Sequence, residues 1–275
     1  MTDTAALIRN RARASRRAPT DFLRREAAEV LAERLIEVNR AFTNPALVTP
    51  FAEDFASVLP DAKVTPDTDR LDLEPGAHDL VIHAFGLHWA EDPVGQIIQG
   101  RRALKPDGLF LAVLLGGATL NELRASFAQA ETRLTGGLSP RVAPMADVRE
   151  LGGLLQRAGL ALPVADTLTL KASYSDIYAL GRDLRAMGEA NALAERRRIP
   201  ATRTLFEATD SIYKSHFPAP DNRILATFEL VFLTGWAPDV SQPQPLKPGS
   251  AKASLIDALQ LPDEAPNGSN PSGSD

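Results

Sequence analysis

His88 and Trp89 stand side by side, five residues after His83. A histidine there can hold or move a proton near neutral pH, and an indole can wall a pocket. The competing reading is structural: His88 braces the next loop, Trp89 fills core, and His83, inside an apolar run, is a satisfied core histidine. His78, His83, His88 and His216 give no helical metal pair, and His83, His88 and Asp92 are too loosely set for a ligand group. No metal is expected. A second cluster is Gly116-Gly117 followed by Thr119. If a helix starts there, its free amides and positive end suit a carboxylate or another polar substrate group. Alternatively the glycines only make the turn. Thr119 and Glu122 also have capping-box spacing. A third cluster, Asp183 to Asn191, holds Arg185, Glu189 and Asn191. It either lines a pocket or stops a helix with local ion pairs.

These clusters need elements to hold them. Asp79–Phe85 is a nearly continuous apolar run, β-branched at its centre, as in a strand covered on both faces. Val94–Leu104 has apolar residues at helical spacing. Lys105-Pro106-Asp107-Gly108 is a turn, with Pro fixing φ and Gly tolerating positive φ. Leu109–Leu115 is a second buried strand. Strand, helix, turn and strand make a βαβ unit with parallel pairing. Upstream, Asp21–Phe42 predicts a helix, Ala46–Thr49 a strand, Phe51–Leu59 a short helix and the region of Val64 a short strand. Downstream, helices are expected from Thr119 to about Leu134, and over Met145–Ala158, Ser175–Met187 and Ala201–His216. Strands are expected over Val164–Lys171 and Arg223–Trp236. The whole reads as an α/β sheet with an antiparallel addition at one edge. Ligands in such sheets bind beyond the carboxyl ends of the strands, here at Thr49, Phe85–Gly86 and Leu115–Gly117. The loop after the first strand offers Val48, Thr49, Pro50 and Phe51. No glycine lies between Asn39 and Gly76, so a dinucleotide loop or a P-loop is excluded.

Composition narrows the function further. The 275 residues are 44% hydrophobic and contain no Cys, which removes thiol nucleophiles, iron–sulfur clusters and thiolate zinc sites. Net charge is −5, so a general nucleic-acid binder is not expected. Charge is uneven, though. Residues 1–25 carry seven arginines, and residues 51–92 carry ten acids against Lys63 and Arg70. The Arg-rich start reads as a basic helix of the fold; the other reading is a transit peptide, which would place the protein in the mitochondrial matrix rather than a bacterial-type cytoplasm. No run is apolar for the roughly 18 residues that a membrane span needs. Three regions are expected: a basic segment and helix to residue 45, an α/β domain over 46–240 with a helical insertion at about 175–222, and a Pro/Ser/Gly-rich tail over 241–275, disordered at its end.

Asp79-Leu-Val-Ile, Leu87-His88-Trp89 and Leu104-Lys-Pro-Asp-Gly108 together resemble the middle of a class I S-adenosylmethionine-dependent methyltransferase. Gly116-Gly117-Ala-Thr119-Leu-Asn-Glu122-Leu-Arg124, Ser139-Pro-Arg141-Val-Ala-Pro144 and Met187-Gly-Glu189-Ala-Asn191 narrow this to one branch. It comprises methyltransferase-like proteins related to the mitochondrial complex I assembly factor that modifies an arginine, with bacterial members labelled as biotin-synthesis-type methyltransferases. The resemblance covers roughly residues 8–240.

It implies a Rossmann-like, mostly parallel seven-stranded sheet, with S-adenosylmethionine over the ends of the first strands. Val48, Thr49, Asp69 (or Asp67) and His83 are the implied cofactor contacts. Trp89, Gly116, Gly117, Thr119, Arg141, Glu189 and Asn191 are the implied substrate contacts, with His88 the catalytic candidate. Two departures fall on the cofactor half. The glycine-rich cofactor loop is missing, and the stretch from Val48 to Leu80 is too short for two full crossovers, so the sheet is expected to be reduced near its second and third strands. Two functions follow from the resemblance. One is a methyltransferase acting on a protein substrate. The other is a non-catalytic or arginine-hydroxylase-like assembly factor for a respiratory-complex subunit.

Overall fold

The structure, a computed structural model, describes residues 2–16 and 22–243. One unit runs through Val240, and a second begins at Ser241. The expected disordered tail end, and Arg17 and Asp21 of the basic segment, lie outside the described residues.

The α/β character follows from which residues alternate. In β3 (His78–Ala84) every residue is buried, and Leu80 and Ile82 pack on one face while Val81 packs on the other. β4 (Leu104–Leu115) repeats the pattern. β3 and β4 pair in parallel across α4 (Pro93–Ala103), as the βαβ reading requires. Asp92 caps α4 by accepting from the Gly95 amide at 2.8 Å, and Pro93 sits in its first turn, where a missing N–H costs nothing. The turn inside β4 differs in detail from expectation. The left-handed residue is Asp107, at φ 58°, and not Gly108. Gly108 is needed instead for close approach, since a Cβ there would lie 2.9 Å from the Lys105 carbonyl.

β1 (Pro45–Val48) lies against β3, and β2 (Lys63–Thr65) lies against β1, both parallel. Only α3 (Ala52–Phe55) fits between them, so a strand–helix unit is curtailed here, as the short spacing predicts. β7 (Arg223–Trp236) pairs antiparallel with β4, and β5 (Ala161–Tyr174) pairs antiparallel with β7 at the edge. The order is β2-β1-β3-β4-β7-β5. The seventh strand is β6 (Pro218–Ala219), two residues paired to β7, which no periodicity could flag.

Helices cover both faces. One face packs Leu31, Phe55, Ile82, Leu111, Phe228 and their neighbours under α2 (Phe22–Val38), α5 (Asn121–Thr135), α7 (Ile177–Met187) and α8 (Arg203–His216). The other packs Val81, Ile97, Phe110, Leu155 and Val231 under α4 and α6 (Val148–Arg157). Each such side chain contributes roughly 1.5–3 kcal/mol on burial. The N-terminal helix α1 (Thr4–Ala14) is capped by Asp3, which accepts from the Ala6 amide at 2.9 Å. It is docked on the fold: the Asp3 amide donates to the Ala192 carbonyl at 2.7 Å and the Asn10 carboxamide to the Ala190 carbonyl at 3.0 Å. No helix among the described residues is long and apolar enough to cross a membrane.

Candidate functional site

The carboxyl ends of β1 and β3 define the place expected to take a cofactor. There Val48 and Thr49 are buried, and the Thr49 amide donates to the Thr65 carbonyl at 3.0 Å. The Thr49 hydroxyl accepts from the Phe51 amide at 3.1 Å. Phe51 then turns under two guanidinium groups, with Arg24 at 4.3 Å and Arg11 at 5.7 Å from its ring centre. Arg24 pairs with Asp54. Arg11 reaches from α1 to Asp67, its Nη1 donating to both carboxylate oxygens at 2.9 and 3.0 Å. Asp67 in turn lies against Gly86, where a Cβ would come within 2.6 Å of the Asp67 Cβ and of the His83 ring. His83 is wholly enclosed. It bonds to the Gln96 carboxamide at 2.7 Å, and burial pushes its pKa down to about 4. Asp69 is exposed, its carbonyl accepting from Gln99, and lies away from this cluster's core.

A nucleoside cofactor needs close backbone approach and a carboxylate open to its ribose hydroxyls. Here the Thr49 amide is taken up by β2, Asp67 is taken up by Arg11, and His83 is sealed behind Gln96. These residues do not fit S-adenosylmethionine. A groove of about 690 Å³ persists beside them, its walls mixing the charged Arg11, Arg24, Glu53 and Asp54 with Phe51, Met187 and small residues.

A second groove, of about 270 Å³, opens between α5, α7 and the loop before α6. Its walls are apolar, with Leu123, Phe127, Met145, Leu184 and Phe206 among them. Glu189 is one of the polar residues that line it. Its Oε2 accepts from the Trp89 indole at 2.6 Å and sits 3.2 Å from His88 Nε2. The side chains of His88 and Glu189 are 2% and 8% exposed. Burial opposes the charge on Glu189, but His88, Arg11 and the indole outweigh it and hold its pKa below the ordinary carboxylate value. Glu189 Oε1 and His88 Nδ1 are buried with no protein partner. The groove therefore borders a buried, ionised carboxylate with one unpartnered oxygen, which suits a donor or a cation entering along mostly apolar walls.

The remaining nominated residues are dispersed around that groove. Thr119 lines it, and its hydroxyl accepts from the Glu229 amide at 3.0 Å. Thr119 and Glu122 form no capping box. The N-cap of α5 is Leu120, at φ 53°, and Glu122 turns instead to accept from the Thr227 amide at 3.3 Å. The two residues are drawn to β7, whose backbone offers stronger geometry than the helix end. Gly116 and the helix entrance are served by the chain itself: the Gly116 amide donates to the Glu229 carbonyl at 2.8 Å and the Ala118 amide to the Glu229 carboxylate at 3.1 Å. Gly117 approaches the Met145 carbonyl, 3.4 Å from where its Cβ would be. Arg141 is bound by Glu131, with Nη2 at 2.6 Å from Oε1, and Asn191 donates to the Pro140 carbonyl at 2.8 Å. Both fix the loop that roofs the groove.

Arg11, Asp67, Gln96, Glu131 and Glu229 carry much of this arrangement and were not nominated from sequence, Asp67 excepted as the alternative to Asp69. Arg11 lay among seven arginines with nothing to distinguish it. Glu131 and Glu229 are single acids in amphipathic stretches, where a solvated carboxylate is the ordinary expectation.

No protein-family model matches the chain. Among curated proteins it is 34% identical over 238 residues to arginine-hydroxylase NDUFAF5, mitochondrial, of Danio rerio, covering 86% of this chain and 73% of that protein. It is 35% identical over 179 residues to the malonyl-[acyl-carrier protein] O-methyltransferase of Xylella fastidiosa (strain M23), covering 65% of this chain and 58% of that protein. Across its NDUFAF5 relatives the chain spans between 41% and 73% of their length, and under two thirds of most. Among solved structures, a putative methyltransferase from Bacillus halodurans aligns with 76% of this chain and 99% of its own, at 13% identity and a TM-score of 0.47. The identity to the Danio rerio protein, over most of both chains, shows the family: the chain belongs to that of arginine-hydroxylase NDUFAF5.

Proposed function

We propose that this chain is a binding protein of the assembly-factor kind, which receives an arginine-bearing segment of a partner protein in the apolar groove and does not use S-adenosylmethionine. The partner is a respiratory-complex subunit. The observation that carries this reading is the Arg11–Asp67 pair, because it occupies one of the two acids placed to meet a nucleoside ribose. The relatives' name, arginine-hydroxylase, supplies the side chain, and Glu189 supplies its receptor. A guanidinium entering the groove would meet an ionised carboxylate with a free acceptor oxygen, in apolar surroundings that strengthen the pairing.

Two measurements test the reading. Calorimetric titration with S-adenosylmethionine to millimolar concentration is expected to give no binding heat; a dissociation constant below about 100 µM, roughly −5.5 kcal/mol, would overturn it. Fluorescence anisotropy with a labelled peptide carrying Leu-Arg-Leu between serine flanks is expected to show saturable binding. Glu189→Gln should weaken that binding about tenfold, on the order of 1.4 kcal/mol for a charge-assisted hydrogen bond made neutral. Equal binding by the variant would remove Glu189 as receptor.

A further inference from the structure

The mouth of the apolar groove adjoins a basic face on a protein whose net charge is −5. Arg185, exposed, lines the groove, and Arg182 lies one turn before it on α7. α1 packs beside the end of α7. A Cβ at Gly188 would lie 3.3 Å from the Arg11 Cγ and 3.6 Å from the Ala14 Cβ, and the Thr2–Leu193 bridge holds the start of α1 to the following loop. Arg9, Arg13 and Arg16 recur at helical spacing on the outward side of this segment, while Arg11 turns inward to Asp67. Arg197 follows in the adjoining loop, next to Arg196, which Asp3 engages at 2.9 Å.

Arg9, Arg13, Arg16, Arg182, Arg185 and Arg197 are all exposed, and none makes an ion pair among the described residues. The acids of these segments are fewer than the arginines. Asp3 holds Arg196 and Arg198, Glu189 is in the groove and Asp183 interacts with Tyr174, while Glu195 beside Arg197 and Glu53 beside α1 are exposed. Charge of one sign gathered on one face raises the local concentration of opposite charge and speeds encounter. All six are arginines, whose planar fork meets carboxylates in bidentate fashion.

We infer that this face is a docking surface for an acidic protein segment, contiguous with the residue that enters the groove. The inference rests on the reading that the groove takes a protein segment, and it adds the charge of that segment's flanks. The groove itself argues against a phosphate chain as the occupant, because a polyanion continuing inward would meet the ionised Glu189. A peptide can place acidic residues outside and a cationic one within. An extended peptide of eleven residues reaches roughly 35 Å, enough to lie across the groove mouth and onto α1.

The test uses the full chain and three labelled eleven-residue peptides centred on Leu-Arg-Leu, with flanks of aspartate and glutamate, of serine, or of lysine, in 50 mM salt. The acid-flanked peptide is expected to bind at least tenfold more tightly than the serine-flanked one, and the lysine-flanked one more weakly than either. The advantage should shrink as salt rises. In Arg182→Glu/Arg197→Glu, and separately in Arg9→Glu/Arg13→Glu, it should fall at least fivefold, while serine-flanked binding and the circular-dichroism melt stay as in the parent. Equal affinity for acid and serine flanks overturns the docking face and leaves the groove reading standing. Absence of binding by every peptide overturns both. Binding of phosphatidylglycerol vesicles or of oligouridylate as tight as that of the acid-flanked peptide overturns the assignment to a protein segment.

Discussion

The guanidinium of Arg11 lies 2.9 Å from the carboxylate of Asp67, joining the N-terminal helix to the loop after β2 across a separation of 56 residues. Both side chains are largely buried, at 14% and 10% exposure. Removing one member of such a pair leaves the other charge without compensation. Arg11→Ala is therefore expected to cost about 3 kcal/mol in urea unfolding. The loss should appear first as faster amide exchange across Thr4–Ala14, whose anchorage depends on this pair and on the bonds to Ala190 and Ala192. Unchanged exchange in α1 would show that the pair does not anchor it.

His83 makes the fold acid-sensitive in a defined direction. Its pKa falls from 6.5 to about 4 on burial, so the unfolded chain takes up a proton that the folded chain refuses. Stability should therefore decline as pH drops from about 6.5 towards about 4, by up to roughly 3 kcal/mol. Below that window the contribution is constant. His83→Leu leaves Gln96 without its partner at every pH, but it should flatten the slope of unfolding free energy against pH in this window. An unaltered slope would assign the acid sensitivity to other groups.

Glu131 holds the roof of the apolar groove. It is 1% exposed and accepts from the Ser139 amide and hydroxyl, both at 2.8 Å, and from Arg141. Burial opposes its charge, but Arg141 and Ser139 more than offset this and lower its pKa. Glu131→Ala should cost about 3–5 kcal/mol and release the segment over 136–144. Trypsin should then cut after Arg141 several times faster than in the parent. Parent-like cleavage would mean that Asn191 and the groove walls suffice to hold the loop.

Gly116 tests how tightly the helix entrance is closed by β7. A Cβ there would fall 2.5 Å from both the Glu229 Oε2 and the Val231 Cγ2. Gly116→Ala is expected to cost about 1–3 kcal/mol by overpacking. Adding Glu229→Ala should restore only part of the loss. Val231 still blocks the site, and the Ala118 amide loses its acceptor. Full restoration would place the whole conflict on the carboxylate.

The sequence carried the elements whose residues alternate or recur with a period. The centre of β3 and residues 109–115 of β4 are apolar runs, β7 has apolar residues on one side, and α4 and α7 are flanked by Asp92 and Gly188, so strand, helix and stop were all legible. The curtailed unit between β1 and β2 was legible from the spacing of Val48 and Leu80, and the missing glycine loop from the positions of the glycines. β6 escaped because two residues have no period. The capping box at Thr119 failed because a local pattern cannot know that β7 will pass beside it with free backbone groups.

What the sequence determined by itself was the scaffold: the parallel strands, their covering helices and a loop after the first strand without glycine. Those properties are set by residues near one another in the chain, through steric limits and burial. What only the tertiary structure decided was which charges are spent and which remain available. Arg11 finds Asp67, Arg141 finds Glu131, and Glu189 keeps a buried, unpartnered oxygen beside the groove. A charged side chain settles on whichever partner shares its burial. That choice is made over tens to hundreds of residues by the packing of the sheet, and no local spacing encodes it.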